Sequence, residues 1–362
     1  MTQAIRSICL LRLSALGDVT HVVPLVRRLQ AHLPEATVTW VIGPGERKLL
    51  DGLEGVEFVV YDKKSGLAGM RALWARLRPR RFDVLLQMQL AARANLLAAG
   101  IRARRRIGYD RARSKEGHGL VVNERIGTGG HHVLEVLAGF GEALGVPPAP
   151  VDWSLPVQPA DRDWAAAHLP GDAPWLLVSP CSSHRLRNWR TARYAAVADH
   201  AASRGWRIAL VGGRSALERE TADAILGAMQ APALDLVGRD TLKQLIALCE
   251  RADALLAPDS GPVHIANATG TPVLGLYACT DPTRSGPYGR IDYCVDHYDA
   301  AARRFLGRPA SALRWGKRVE VEGVMDLVGV EEVVGRFEAL RRDLERERGQ
   351  GKRETGDGAV ER

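Results

Sequence analysis

A chain of 362 residues is too long for one small core and ample for two domains of ordinary size. Apolar residues at 46% and charged residues at 25% are globular proportions, which exclude a wholly disordered chain. The formal net charge of +8 points to an acidic partner without naming one, since an arginine-rich codon bias produces the same excess. Five scattered cysteines form no C-x-x-C pair, so neither a disulfide framework nor a zinc site is indicated and a reduced compartment is expected.

Residues 7–13 are apolar apart from Arg12 and read as a buried strand. Asp18 follows too soon, and no small-residue cleavage site comes next, for this to be a signal peptide. Ser14-Ala15-Leu16-Gly17-Asp18 turns the chain into a helix whose apolar side carries Val22, Val23, Leu25, Val26 and Leu29. Residues 36–42 form the next strand, closed by Gly43-Pro44-Gly45. Strands over 56–61 and 83–87 flank a helix over 67–77, and helical periodicity returns at 131–144. Pro147, Pro148, Pro150, Pro156 and Pro159 then mark an interdomain linker.

Beyond the linker the alternation restarts. Strands are expected over 175–179, 207–211, 234–236, 254–257 and 273–277, with helices over 191–204, 216–229, 242–251 and 262–269. A charged amphipathic helix covers 328–347, and the polar tail from Gly351 to Arg362 is expected to be disordered. Strands that alternate with helices imply parallel sheets, hence two successive doubly wound halves. The expected division is 1–155, 156–327, a C-terminal helix over 328–350 and a tail over 351–362. No apolar stretch approaches the roughly 18–20 residues that span a bilayer.

The most informative segment is Asp259-Ser260-Gly261-Pro262-Val263-His264. A strand reaches Asp259, Ser260 and Gly261 turn the chain, and Pro262 suits the first helical position. Backbone N–H groups, the Ser260 hydroxyl and His264 share that opening turn, which favours an anionic group. An ordinary capped helix start fits the same residues equally well. A second loop brings Ser179, Ser182, Arg185 and Arg187 to the carboxyl end of a parallel strand, where ligands of such sheets bind and where arginine forks onto phosphate. A solvated loop is the plain alternative for either arginine, but two anion-friendly loops in one half favour a phosphate site. In the first half, Asp18 lies on the turn after the first strand. There a carboxylate either faces a cleft or simply favours the helix dipole.

The run Leu13-Ser14-Ala15-Leu16-Gly17-Asp18-Val19-Thr20-His21-Val22-Val23-Pro24, taken with Asp259 through Val273, resembles the ADP-heptose:lipopolysaccharide heptosyltransferase family, glycosyltransferase family 9. The likeness in order and spacing extends over residues 8–288. It implies the GT-B form of the α/β class: two Rossmann-like doubly wound domains facing across a cleft, with a C-terminal helix. It implies inverting transfer of a heptose from ADP-heptose to the inner core of a lipopolysaccharide precursor at the inner-leaflet surface. The site is then cytoplasmic or peripheral on the cytoplasmic face of the inner membrane.

By the same resemblance Asp18 is the general base and Arg187 stabilises the leaving ADP. Ser179, Ser182, Arg185, Asp259, Ser260, Gly261 and His264 hold the donor. Gly212-Gly213 with Glu218 resembles the stretch that reaches the adenosine ribose. Either Arg185 or Arg187 stands where the family keeps a basic phosphate contact. Lys63, Lys64, Arg111, Arg113 and Lys115, within a basic set that includes Arg102 and Arg104 to Arg106, are expected at the acceptor together with His132. No acidic metal cluster is evident, and no cofactor beyond the ADP-sugar substrate is implied. A transferase for another sugar nucleotide and a non-catalytic nucleotide-binding protein are the alternatives. A dehydrogenase would show G-x-G-x-x-G after its first strand, where only Gly17 stands. Nucleic acid is not expected, because the basic residues of 101–107 lack interleaved aromatics.

Overall fold

The first strand, β1 (Ser7–Leu11), is paired along both edges, so its side chains meet protein on every side. Such a strand must be apolar throughout rather than alternating, and Ile8, Cys9, Leu10 and Leu11 are all fully buried. The computed structural model describes residues 4–356. These pack as two units, one within Met1–Arg162 and Leu242–Ile246 and the other within Asp163–Thr241 and Ala247–Arg362.

In the first unit β1 is followed by α1 (Leu16–His32), β2 (Thr37–Ile42), α2 (Pro44–Leu49), β3 (Val56–Val60) and α3 (Gly66–Leu77). Then come β4 (Phe82–Gln87), α4 (Ala92–Ala99), β5 (Ala103–Gly108), β6 (Glu124–Arg125) and α5 (Val133–Glu142). The strands form one parallel sheet in the order β3-β2-β1-β4-β5-β6. The strand order therefore reverses between β1 and β4, and loops leaving their carboxyl ends flank the crevice where ligands of such sheets bind.

Two local readings are corrected. Residues 43–45 are not a bare turn: Pro44 opens α2 with Gly43 as its cap, a position where the missing N–H costs nothing. The run Arg104-Arg105-Arg106, read as a basic surface, belongs to β5. Arg105 forks onto Glu124, with Nε at 2.9 Å and Nη2 at 2.7 Å from its two oxygens. Arg106 donates to the carbonyls of Val121 at 2.7 Å and Ile101 at 2.6 Å.

The chain enters the second unit through α6 (Pro159–His168). It continues as β7 (Trp175–Val178), α7 (Thr191–Ser203), β8 (Arg207–Leu210), α8 (Ala216–Ala228), β9 (Ala233–Asp235) and α9 (Leu242–Arg251). There follow β10 (Ala254–Pro258), α10 (Gly261–Thr269), β11 (Val273–Tyr277), α11 (Pro282–Ser285), β12 (Val295–Asp296), α12 (Tyr298–Leu306) and α13 (Val330–Gly356). Its parallel sheet runs β12-β11-β10-β7-β8-β9, the same topology repeated, with the reversal between β7 and β10. Val333, Phe337 and Leu340 sink α13 into this unit's core. The helix passes the start of the expected tail at Gly351, and residues 357–362 of that tail lie outside the described residues.

Beside β4 and β5 runs a buried polar chain. Gln87 donates to Asn95 Oδ1 at 2.9 Å, His118 Nδ1 meets the same oxygen at 3.1 Å, and the Tyr109 amide donates to His118 Nε2 at 3.0 Å. Gly108 makes room for it, because a Cβ there would stand 2.3 Å from His118 Nε2. An acceptor Nε2 means a neutral ring. Burial, helped by Arg125, pushes the His118 pKa down from 6.5 to about 4. A depressed histidine contributes stability that is present above pH 6.5 and lost as the pH falls toward 4. The chain should therefore lose about 2 kcal/mol from this group between pH 7 and pH 5. Urea denaturation at the two pH values should show a smaller difference for His118→Asn than for the wild type, whatever the variant's stability at pH 7.

Candidate active site

Asp18 stands at the third position of α1, at the carboxyl end of β1 beside the β1/β4 reversal. Its side chain is a third exposed and forms an ion pair through Oδ2 with Arg12. The Ala15 amide donates to the same oxygen at 3.1 Å. The loop that carries it is clamped from two strands. The Trp40 indole donates to the Arg12 carbonyl at 3.0 Å, and the Leu13 amide donates to Gln89 Oε1 at 2.7 Å. One turn further along α1, buried His21 packs edge-on against His132 with ring centroids 5.3 Å apart. His132 caps α5, its Nδ1 accepting from the Leu134 amide at 3.1 Å. The two histidines are thus brought together with the helix turn that bears Asp18.

The basic residues of this unit divide into two kinds. Lys63 and Lys64 are exposed on a short 3-10 turn after β3, and Arg111 and Lys115 are exposed on the loop after β5. Arg113, expected with them at the acceptor, is largely buried. Only 8% of its side chain is exposed, it pairs with buried Asp110 at 2.6 Å, and it donates to the Gly129 carbonyl at 3.2 Å and to the Gly130 carbonyl. Its guanidinium ties two loops together, so it serves the fold.

In the second unit the predicted residues gather around the β7/β10 reversal. The buried Ser179 amide extends the ladder to Leu256 O at 2.9 Å, and the Ser182 amide donates to Asn188 Oδ1 at 2.7 Å. Asn188 thereby folds the loop back so that Arg185–Arg187 forms a 3-10 turn. Arg185 is exposed on this turn. Arg187 points inward with 11% of its side chain exposed, 3.6 Å from Asp259 and 3.4 Å from Glu320. His264, from the first turn of α10, reaches to 3.9 Å from Asp259. Ser260 caps α10 through an extended backbone, and Gly261 is the first helical residue, so Pro262 falls second.

Gly212 and Gly213 follow β8. Glu218 is turned back onto this loop, accepting from the Gly213 amide at 2.7 Å and from the Ser215 hydroxyl at 2.6 Å. A Cβ on Gly213 would stand 2.9 Å from the Glu218 carboxylate, so a side chain there would displace that carboxylate.

Two neighbours of this site were not expected from the sequence. Burial pushes the Glu320 carboxyl up, but Arg318, His184 and Arg187 outweigh it and hold the group below the usual carboxylate range. Burial pushes the Cys279 thiol up to about 11, opposed by Arg187 and reinforced by Glu320 and Asp259. The loop after β11 therefore lies against the same cluster. The next residue, Thr280, is 3% exposed. Its hydroxyl, the Ser260 hydroxyl and Arg187 Nε are buried without a hydrogen-bond partner in the protein. Buried polar groups are nearly always paired, so two unmet hydroxyls together with the Arg187 Nε suit an anionic ligand. The Arg318-Val319-Glu320 alternation was the only trace of this contact in the sequence. Among the described residues no group of His, Cys, Asp or Glu side chains is arranged to hold a metal ion.

The profile of glycosyltransferase family 9 (heptosyltransferase) matches residues 70–308. The chain is 38% identical over 340 residues to the lipopolysaccharide core heptosyltransferase OpsX of Haemophilus influenzae, covering 94% of this chain and 98% of that one. The crystal structure of a family 9 glycosyl transferase from Veillonella parvula superposes with a TM-score of 0.77 at 20% identity, covering 94% and 98% of the two chains. The Escherichia coli ADP-heptose lps heptosyltransferase II does so with a TM-score of 0.71 at 21% identity, covering 94% and 99%. Both share the fold.

The two kinds of basic residue should separate in a stability assay. Arg113→Met leaves the buried Asp110 carboxylate without its counter-ion and should cost roughly 3 kcal/mol in urea denaturation. Lys115→Ala, on the exposed loop, should stay within about 0.5 kcal/mol.

Proposed function

As a member of glycosyltransferase family 9, this chain is a glycosyltransferase of heptosyl transfer to lipopolysaccharide core, and we propose that it takes the sugar from ADP-heptose by an inverting displacement with Asp18 as general base. The observation that carries the reading is Asp18 itself. It is a carboxylate at the topological reversal of its sheet, a third exposed, and held in orientation by Arg12 and the Ala15 amide. An acceptor hydroxyl is a poor nucleophile near neutral pH, and a carboxylate within hydrogen-bond reach relieves it of its proton as the new bond forms. The acceptor oxygen joins the anomeric carbon as the bond from that carbon to the ADP oxygen breaks. The proton goes to Asp18, the electron pair leaves with ADP, and the anomeric configuration inverts.

The departing diphosphate gains negative charge. Arg187, the Ser260 and Thr280 hydroxyls, and the amide groups opening α10 are a donor set fit to hold it. His264 adds a hydrogen bond, and Asp259 aligns Arg187 and His264. Ser179 and Ser182 shape the loop that delivers Arg187. Glu218, turned onto Gly213, presents the loop that reaches the ribose. Arg185 remains an outer contact for the nucleotide.

Lys63, Lys64, Arg111 and Lys115 are exposed cations suited to an anionic, phosphate-bearing core precursor, and buried His132 is a further acceptor candidate beside His21. A lipid-borne acceptor puts the enzyme against the cytoplasmic face of the inner membrane. Among the described residues no helix is long and apolar enough to cross a membrane.

Asp18→Asn should lower kcat for heptosyl transfer by about 10³-fold while leaving ADP affinity within a factor of about two. Arg187→Ala should lower kcat by about 10²-fold and also weaken ADP binding, read by calorimetry. Release of nucleotide from UDP- or GDP-sugars but never from ADP-heptose would overturn the donor assignment.

A further inference from the structure

The ion pair on Asp18 has a partner that is unusually well fixed. Arg12 follows β1, its amide donates to Val41 O at 3.2 Å, and its carbonyl accepts from the Trp40 indole at 3.0 Å. Only 11% of its side chain is exposed. One arm of the guanidinium donates to the Met88 carbonyl and reaches Tyr109 Oη at 3.4 Å. Tyr109 itself donates to Met88 O at 3.0 Å, so that arm is locked onto the ends of β4 and β5. The other arm holds Asp18 Oδ2. With one arm locked onto the protein, the guanidinium presents the other to the carboxylate in a fixed orientation.

We propose that Arg12 is a positioning residue for the reaction: it fixes the plane of the Asp18 carboxylate and keeps it ionised when the anionic substrates arrive. The inference rests on the reading of Asp18 as the base. The charges facing Asp18 explain why such a device is needed. Burial raises the Glu46 carboxyl of α2, and the nearby Asp18 charge raises it further, so a second carboxylate faces Asp18. The donor's diphosphate and the phosphates of the acceptor add further negative charge, and each makes an ionised Asp18 more costly. Lys63 offsets part of the Glu46 charge from the loop after β3. His21 on the same helix and His132 of α5 are buried against one another. Arg12 is a cation in direct contact, and the Tyr109 hydroxyl lies against its other arm.

A neutral side chain at position 12 leaves Asp18 to the surrounding negative charge, so its proton comes off at higher pH. The acid limb of the pH–rate profile then moves up, and activity recovers as the pH rises.

The test measures kcat/KM for heptosyl transfer between pH 5 and pH 9 for the full chain and for Arg12→Gln, Arg12→Lys and Asp18→Asn. Calorimetric ADP binding and thermal melting are run alongside. For Arg12→Gln the acid limb should rise by about one pH unit or more. For each unit that the limb rises the loss should approach about 10-fold where the pH lies below both limbs and shrink above them, with ADP affinity unchanged. Arg12→Lys keeps the charge but not the fork, so its acid limb should stay in place while kcat falls at every pH. A folded Arg12→Gln with an unmoved acid limb, or with the same loss at every pH, overturns the proposal. If Arg12→Gln does not fold, Arg12→Lys decides: a limb displaced upward by a full unit despite the retained charge also overturns it. Asp18→Asn separates the two readings. If it is inactive while the Arg12→Gln limb is unmoved, only the role of Arg12 falls; if it keeps full transfer, the base assignment falls first.

Discussion

A parallel strand buried on both faces delivers the chain to its carboxyl end inside the protein, and any charge placed there must bring its own counter-ion. Both units meet this constraint with an aspartate and an arginine. Asp18 is held by Arg12 after β1, and Asp259 stands 3.6 Å from Arg187 between the loops after β10 and β7. Breaking such a pair strands a partly buried charge, which is far costlier than the pair's net worth. The two pairs differ in what surrounds them. Arg12 is braced by backbone on the ends of β4 and β5, which fixes the orientation of the carboxylate it holds. Arg187 is shared between two carboxylates, Asp259 and Glu320, on the loops around its own reversal.

In the function proposed above, the two pairs take different parts of the chemistry. A fixed carboxylate suits proton acceptance, which needs orientation and an ionised group at working pH. A cation among unmet hydroxyl donors suits a diphosphate that gains charge as it leaves, because preorganised donors cost no reorganisation at the moment of reaction. Glu320 already pairs with Arg187, so in the proposed reading a diphosphate would exchange one anionic partner for another.

The strands were legible because buried parallel strands are short, continuous and apolar, as in β1, β10 and β11. β5 was hidden because Arg104, Arg105 and Arg106 look like surface, and only Glu124 and the carbonyls of Ile101 and Val121, supplied by other segments, make an arginine run tolerable there. α6 was hidden because Pro159 reads as linker, although a proline also starts a helix well. Asp18, Ser260 and His264 were legible because they sit on strand-to-helix turns whose spacing is local. The choice between Arg185 and Arg187 was not, since it depends on Asn188 folding the loop back. Glu320 and Thr280 escaped for the same reason, being joined to Arg187 only through tertiary packing.

The central claim is a single displacement at the anomeric carbon, with the base on the first unit's reversal and the leaving diphosphate held at the second's. The anomeric configuration of the product tests it most directly. Transfer from ADP-heptose of defined configuration, followed by the one-bond carbon–proton coupling at the new anomeric centre, should show inversion in every turnover. A product that retains the donor's configuration would require a covalent or internal-return route and would contradict the role given to Asp18.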